Sequence, residues 1–354
     1  MPRPSAVLAA RTLWTLGVAA AVLAGRAGAL PVVPSPRWGI NGHPFSQSPY
    51  FDIPLEQQLD LLAELGTGWY RFDLDENALR AETARLDDLL AGATRRGIRL
   101  LPILMSSPSC RTPGATPDQV HRAAREFGRA VAGRYHGRIT HWELENELDF
   151  VAMIRKGERD RRGQLWNWDA PDGSVAENFQ EARYQLAKAE IQGLSEGIKE
   201  ADPTARTIVD TSGWLHTGFV TRLVTEDHVP FDVLSWHWYS EMGDITRVQG
   251  RIDLLGRLRE FGKPVWITET SRRDGSQGGG EPALATFLTT TVAAMGANPG
   301  IGPIFYYELL DEPYAGDDTR YGLLAVAHDR QNRWRVASRK AAFESYRAII
   351  ARSP

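Results

Sequence analysis

Eight short runs of β-favouring residues alternate with longer amphipathic stretches along this chain, and that alternation restricts the fold more than any other feature. The runs lie at 37–41, 68–73, 98–104, 139–144, 206–210, 231–238, 264–268 and 301–307. Between them, helical periodicity spans 55–65, 86–96, 120–135, 184–200, 248–261 and 284–295, and a last helix is expected over 338–352. Strands that alternate with helices pair in parallel, and eight such units at roughly 39 residues each suit a closed barrel better than an open doubly wound sheet. The expected fold is α/β, a single-domain (β/α)8 TIM barrel over 30–354. No Pro/Gly/Ser linker or composition shift divides the chain beyond residue 37, and the only low-complexity tract is Gly278-Gly-Gly280.

The first residues read as a targeting segment. Arg3 and Arg11 precede an apolar stretch at 13–23, and Ala27-Gly28-Ala29 offers a small-x-small cleavage site, so residues 1–29 are expected to be a signal peptide. The stretch is too short to span a bilayer, with an uncleaved anchor as the alternative. The expected location is therefore secreted or periplasmic, with no membrane span after cleavage. Cys110 is the only cysteine, which rules out an internal disulfide and leaves a stray thiol as its plain role.

Two of the β-like runs stop at a glutamate. One is Ile139-Thr-His-Trp-Glu-Leu-Glu-Asn-Glu-Leu-Asp149 with Glu147, and the other is Pro264-Val-Trp-Ile-Thr-Glu-Thr270 with Glu269. A parallel barrel presents its chemical groups where strands end, at the C-terminal rim. These glutamates end the fourth and seventh runs, so the barrel would set them across its mouth. Two carboxyl groups facing one substrate are what acetal cleavage requires: a proton donor for the leaving oxygen, and a carboxylate that attacks the anomeric carbon or activates water. Asn146 could donate its amide to a sugar hydroxyl next to the reacting carbon. Strand alternation would put Glu143, Glu145 and Glu147 on one side, and the Asn-Glu pairing selects Glu147 among them.

Composition agrees with a neutral substrate. Basic and acidic residues number 41 and 44, a net charge of −3 with no basic stripe, so nucleic acid is not an expected partner. Eleven Trp is a high count, and indole faces stack on sugar rings as well as filling cores. No histidines stand at metal-ligand spacing and no glycine-rich phosphate loop follows a strand, so neither a metal nor an organic cofactor is implied. The long connection 148–177, which carries Trp166-Asn-Trp168-Asp169, is expected to wall the cleft.

Trp142-Glu-Leu-Glu-Asn-Glu147, Ser235-Trp-His-Trp-Tyr239 and Trp266-Ile-Thr-Glu-Thr270 together resemble the signatures of clan A retaining glycoside hydrolases, most nearly family 39 and then family 5. The resemblance covers almost the whole chain after residue 30, including Tyr321-Gly-Leu-Leu324 and the Ser338-Arg-Lys-Ala-Ala-Phe343 segment. It implies Glu147 as acid/base, Asn146 as its companion and Glu269 as nucleophile. It further implies Arg71, in Trp69-Tyr-Arg-Phe-Asp73, near the nucleophile and Tyr239 bonded to it. His237 would lie at the sugar subsite, with His43 of Gly39-Ile-Asn-Gly-His43 in a comparable place. From the residues alone, Arg71 could instead pair with Asp73 or with another barrel carboxylate, Tyr239 could be a rim aromatic, and the two histidines could be satisfied barrel residues.

One departure stands out. Where many clan members end the eighth strand with a tryptophan platform, this chain has Phe305-Tyr-Tyr-Glu-Leu309. Tyr306 or Tyr307 could replace the platform, and Glu308 could contact a sugar hydroxyl. The expected function is retaining hydrolysis of β-O-glycosidic bonds in a carbohydrate substrate, a polysaccharide, oligosaccharide or glycoconjugate, by double displacement. The alternatives are a non-catalytic carbohydrate-binding barrel and a transglycosylase on the same scaffold.

Overall fold

In the computed structural model, which describes residues 34–45, 48–169, 171–277, 279–313 and 320–353, eight parallel strands close on themselves in chain order. They are β1 (Ser35–Asn41), β2 (Thr67–Asp75), β3 (Arg99–Met105), β4 (His141–Leu144), β5 (Arg206–Val209), β6 (Val233–His237), β7 (Val265–Thr270) and β8 (Ile304–Tyr306). The ring closes where β8 pairs with β1, Ile304 opposite Trp38 and Tyr306 opposite Ile40. The expected (β/α)8 barrel is therefore the fold. The signal segment expected at 1–29 lies outside the described residues.

The outer layer comprises α1 (Leu55–Leu65), α2 (Glu76–Arg95), α3 (Pro117–Arg134), α4 (Leu148–Ala152), α5 (Glu181–Ala201), α6 (Thr217–Thr221), α7 (Leu254–Glu260), α8 (Gly280–Phe287), α9 (Ala293–Ala297) and α10 (Ala341–Arg352). A π-helical stretch, Leu288–Val292, joins α8 to α9. Local chemistry sets several ends. Asp75 accepts from the backbone N–H of Asn77 and Ala78, which starts α2 ten residues earlier than the apolar periodicity alone suggests. Thr116 and Gln119 form a reciprocal capping box with Pro117 at the first helical position of α3.

The expected helix at 248–261 is shorter than its periodicity. Val248 and Ile252 bridge a tight turn in which Gly250 adopts φ 74°, so α7 starts only at Leu254. The closing segment also differs from expectation. Before α10 comes an antiparallel hairpin, β9 (Leu324–His328) and β10 (Trp334–Arg339), outside the barrel. Among the described residues, no helix is long and apolar enough to cross a membrane.

The barrel interior has two levels. At the N-terminal end, Trp69, Leu101, Ile208, Val233, Trp266 and Phe305 form an apolar plug of their own, with Trp266 stacked on His141. One inward position further along, the same strands supply Arg71, Asp210 and Ser235, following the period-two rule. The plug excludes water from below, so the charged level above it opens only towards the C-terminal rim.

Candidate active site

Arg71, on β2, is the hub of the charged level and is 1% exposed. Nε donates to Glu143 at 2.6 Å; Nη1 donates to Asn41 Oδ1 at 2.8 Å and Glu269 Oε1 at 2.7 Å; Nη2 donates to Asn146 Oδ1 at 2.8 Å and Asp210 Oδ2 at 3.1 Å. A guanidinium has five N–H donors, and all are used. Burial opposes its charge, but the surrounding carboxylates outweigh that and hold it protonated. Of the alternative ion pairs, the one with Asp73 does not occur, because that carboxylate takes His43 Nδ1 at 3.0 Å, whereas pairs with the barrel carboxylates Glu143 and Asp210 do.

Glu269 reaches this hub through a break in β7. The register slips between Ser235–Trp266 and His237–Glu269 on one side, and between Ile267 and Thr270 on the other. Strict alternation from inward-facing Trp266 would turn Glu269 outward, whereas the bulge brings both Thr268 and Glu269 into the barrel. Thr268 Oγ1 donates to Glu143 at 2.9 Å, while Glu269 Oε2 accepts from the Tyr239 hydroxyl at 2.7 Å. Burial would raise the Glu269 carboxyl, but His237, Arg71 and the Tyr239 bond hold it below the usual range.

Glu147 arrives by a different device. After β4 ends at Leu144, Glu145 (φ 68°) and Glu147 (φ 54°) both adopt left-handed backbone. Non-glycine residues pay about 1–3 kcal/mol for such conformations, which persist where surrounding structure holds them, often at functional sites. Here Asp210 Oδ1 accepts the Glu147 N–H at 2.8 Å and the Glu145 carboxylate accepts the Asn146 N–H at 2.9 Å. The expectation that Glu143, Glu145 and Glu147 share one side is thereby corrected, since alternation lapses at the end of the strand. Glu143 bonds Arg71 inside the barrel, whereas Glu145 is buried against Arg111, at 3.2 Å, and near Glu190. Cys110 lies beside that pair, and burial keeps its thiol neutral.

The Glu147 side chain is one-third exposed, and its Oε1 lies 2.8 Å from His237 Nδ1. Burial and the negative charge of Glu269 raise its carboxyl above the usual range, against the pull of His237. One carboxylate oxygen each of Glu147 and Glu269 and one nitrogen of His237 all lie within 4.8 Å of one another. Two neighbouring carboxyl groups are thus driven in opposite directions.

A cavity of about 460 Å³ opens above them, with Asn146, Glu147, Glu269, Tyr239, His43 and Tyr307 on its wall. The Asn146 orientation follows from Arg71: a guanidinium only donates, so Oδ1 must face it and the amide hydrogens remain for a ligand. His43 bonds Asp73, lies 3.3 Å from the Tyr307 hydroxyl and 3.5 Å from Glu308, and despite burial is pushed up to about 10 by those carboxylates.

Three expectations change here. His237 is fully buried beneath the carboxyl groups rather than on the cavity wall, so it positions Glu147 instead of touching a sugar. Tyr306 is fully buried and donates to the Tyr321 carbonyl at 2.7 Å, which leaves Tyr307 as the eighth-strand aromatic on the wall. Glu308 is also fully buried and accepts from Tyr50 at 2.9 Å, out of reach of a sugar hydroxyl. Trp166 and Trp168 do not line this cavity.

Asp210 was the residue sequence reasoning passed over. Fixing Arg71, the Glu147 backbone and His237 Nε2 (3.4 Å) at once, it also ends a β-like run, the same signal that singled out the two glutamates. Among the described residues, three triads have ligand-type atoms close enough to hold a metal ion: Glu143–Asp210–His237, Glu147–His237–Glu269 and His43–Glu308–Glu312. In the first two, at least one carboxylate is bonded to Arg71, and that fixed positive charge opposes a cation among the same oxygens.

The fold recurs in known carbohydrate enzymes. A β-glucosidase from Pyrococcus furiosus superposes with a TM-score of 0.61 at 14% identity, covering 90% of this chain and 95% of that one. A family 1 β-glucosidase from Thermotoga maritima gives 0.59 at 12%, covering 91% and 99%. A GH10 structure from Paenibacillus barcinonensis gives 0.55 at 14%, covering 92% and 99%. At these identities the likeness establishes the fold, and it spans families 1 and 10 rather than singling out family 39. No curated protein sequence matches the chain. The family of the glycosyl hydrolase catalytic core matches residues 141–325, more than half of the chain and the stretch that carries Glu147, Asp210, His237, Tyr239 and Glu269; the chain belongs to that family.

Proposed function

We propose that this glycoside hydrolase is a retaining enzyme that cleaves β-glycosides by double displacement, with Glu269 as nucleophile and Glu147 as acid/base. The observation that carries the reading is the opposed electrostatics of two carboxyl groups whose nearest oxygens fall within 4.8 Å. A retaining pair lies ~5–5.5 Å apart, whereas an inverting pair needs ~6.5–9.5 Å to admit a water. Glu269, held ionised by Arg71, His237 and Tyr239, attacks the anomeric carbon as the bond to the leaving oxygen breaks. Glu147 gives its proton to that oxygen. Once Glu269 is esterified, its charge no longer raises the Glu147 carboxyl, so Glu147 can take a proton from the incoming water. The water oxygen bonds the anomeric carbon and Glu269 leaves as a carboxylate. The Asn146 amide, left free by the Arg71 bond to its oxygen, would donate to the hydroxyl beside the reacting carbon.

Export belongs to the same proposal and rests on Arg3, Arg11, the apolar stretch 13–23 and Ala27-Gly28-Ala29. The test is turnover of a panel of aryl β-glycosides and polysaccharides by residues 30–354, beside Glu269→Gln and Glu147→Ala with and without azide. A cleaved sugar, an inactive Glu269→Gln and a β-glycosyl azide from Glu147→Ala are the expected results. An α-configured first product, read by NMR, would refute retention.

A further inference from the structure

We propose that the leaving-group side of the cleft is built for an apolar aglycone, so that the enzyme's substrates are glycosides of a hydrophobic alcohol rather than oligosaccharides. This inference rests on the hydrolase reading above. A second cavity, of about 510 Å³, shares Glu147 and Tyr239 with the first and continues beyond them. Both volumes are in the ordinary range for small-molecule sites. Glu147 sits at the junction, and in the proposed mechanism it protonates the leaving oxygen. The group that enters the second cavity is therefore the one that departs.

The two cavities differ in chemistry. The first offers Asn146, His43, Asp73, Tyr307 and the catalytic pair to a polyhydroxylated ring. The second is walled by Phe150, Met153, Trp214, Leu215 and Val248. Phe150 is 66% exposed and Trp214 44% exposed, so two large apolar side chains are wetted at one site. Apart from exposed Gln249, the polar neighbours there are largely turned to one another. Ser212, through N–H and Oγ, and His216, through Nδ1, converge on the buried carboxylate of Asp149, and Asp172 accepts from Ser174. A second sugar would set several of its hydroxyls against these carbon walls with few free polar partners, and each unpaired one costs binding energy.

Trp214 supplies an independent observation. It adopts φ 46°, a conformation bulky residues rarely adopt, and its carbonyl accepts from Trp236 Nε1 at 3.3 Å. Backbone strain at an exposed tryptophan makes sense if the indole must face the cavity.

The test has two arms. In the first, kcat/KM is measured for methyl, hexyl and octyl β-glycosides of whichever sugar the panel identifies; these alcohols are similar in acidity, so the series reports binding rather than leaving-group reactivity. The parent should gain about tenfold or more from methyl to octyl, since each methylene in an apolar pocket adds discrimination. Phe150→Ala and Trp214→Ala should flatten the series, while Trp168→Ala, exposed and on neither cavity, should not. In the second arm, calorimetry follows 2-naphthol, a free aglycone probe that needs no sugar. It should bind the parent and weaken about tenfold in Phe150→Ala, a loss typical of an aromatic anchor. A flat alkyl series, or 2-naphthol that binds parent and Phe150→Ala alike, overturns the proposal while leaving hydrolysis intact. If no glycoside is cleaved but 2-naphthol binds as described, the hydrolase reading fails and the apolar cavity stands.

Discussion

Replacing Tyr239 by Phe removes one hydroxyl and keeps the ring, and the structure states what that should do. The lost bond is the 2.7 Å donation to Glu269 Oε2; the Arg71 bond to Oε1 stays. A hydrogen bond to a charged group contributes roughly 1.5–3 kcal/mol. At about 1.36 kcal/mol per pH unit, Glu269 should therefore titrate about one to two units higher in the variant. The nucleophile works only when ionised, so Glu269 governs the acid limb of the kcat/KM profile and Glu147, which must start protonated, governs the alkaline limb. The acid limb should move up by that amount while the alkaline limb stays. Stability follows the same sign: the depressed Glu269 carboxyl contributes above its unfolded pKa, and the contribution disappears as pH falls through the folded value. Urea unfolding should thus show the variant about 1.5–3 kcal/mol less stable at neutral pH, with the gap narrowing in acid. An unmoved acid limb in a folded variant would refute the assignment of Glu269 as the ionised group.

His237→Gln should raise both limbs, because the buried imidazolium lowers Glu147 and Glu269 alike. Since the folded His237 pKa is raised, its charge contribution is complete below about 6.5 and lost as pH rises through the folded value, so urea should find the variant weaker near pH 5 than near pH 9. Arg71→Met leaves Glu143, Asp210 and Glu269 without their shared cation and should cost about 3–5 kcal/mol in urea at neutral pH, together with activity. Gly197→Ala puts a Cβ 2.1 Å from the Arg125 carbonyl where α5 crosses α3, and a loss of roughly 1–3 kcal/mol is expected from thermal or urea unfolding. Gly133→Ala, whose nearest neighbour would be 3.7 Å away, should instead be neutral or slightly stabilising in the same assay.

Much of the barrel was legible because its signals are local. Period-two and period-3.6 patterning is a property of adjacent residues, and each of the eight strands lies within a few residues of its run. Glu147 and Glu269 were legible for the same reason, each ending an apolar run. The helix at 248–261 was misjudged because Gly250 makes a turn that apolar spacing does not record.

What the sequence alone determined, then, is the barrel, its order and the two strand ends that carry glutamates. What only the tertiary structure decided is which way those glutamates point and what surrounds them. The bulge in β7 turns Glu269 inward against its own alternation, and left-handed backbone at Glu145 and Glu147 sends one carboxylate outward and the other to the cleft. Asp210 and His237 acquire their positioning roles only because closure brings β5 and β6 within bonding distance of residues far away in the chain. The apolar cavity is assembled from side chains near 150, 214 and 248, which share no motif. Periodicity encodes the conformation of neighbours, whereas the charge state of a buried carboxyl depends on which distant groups the closed ring places beside it.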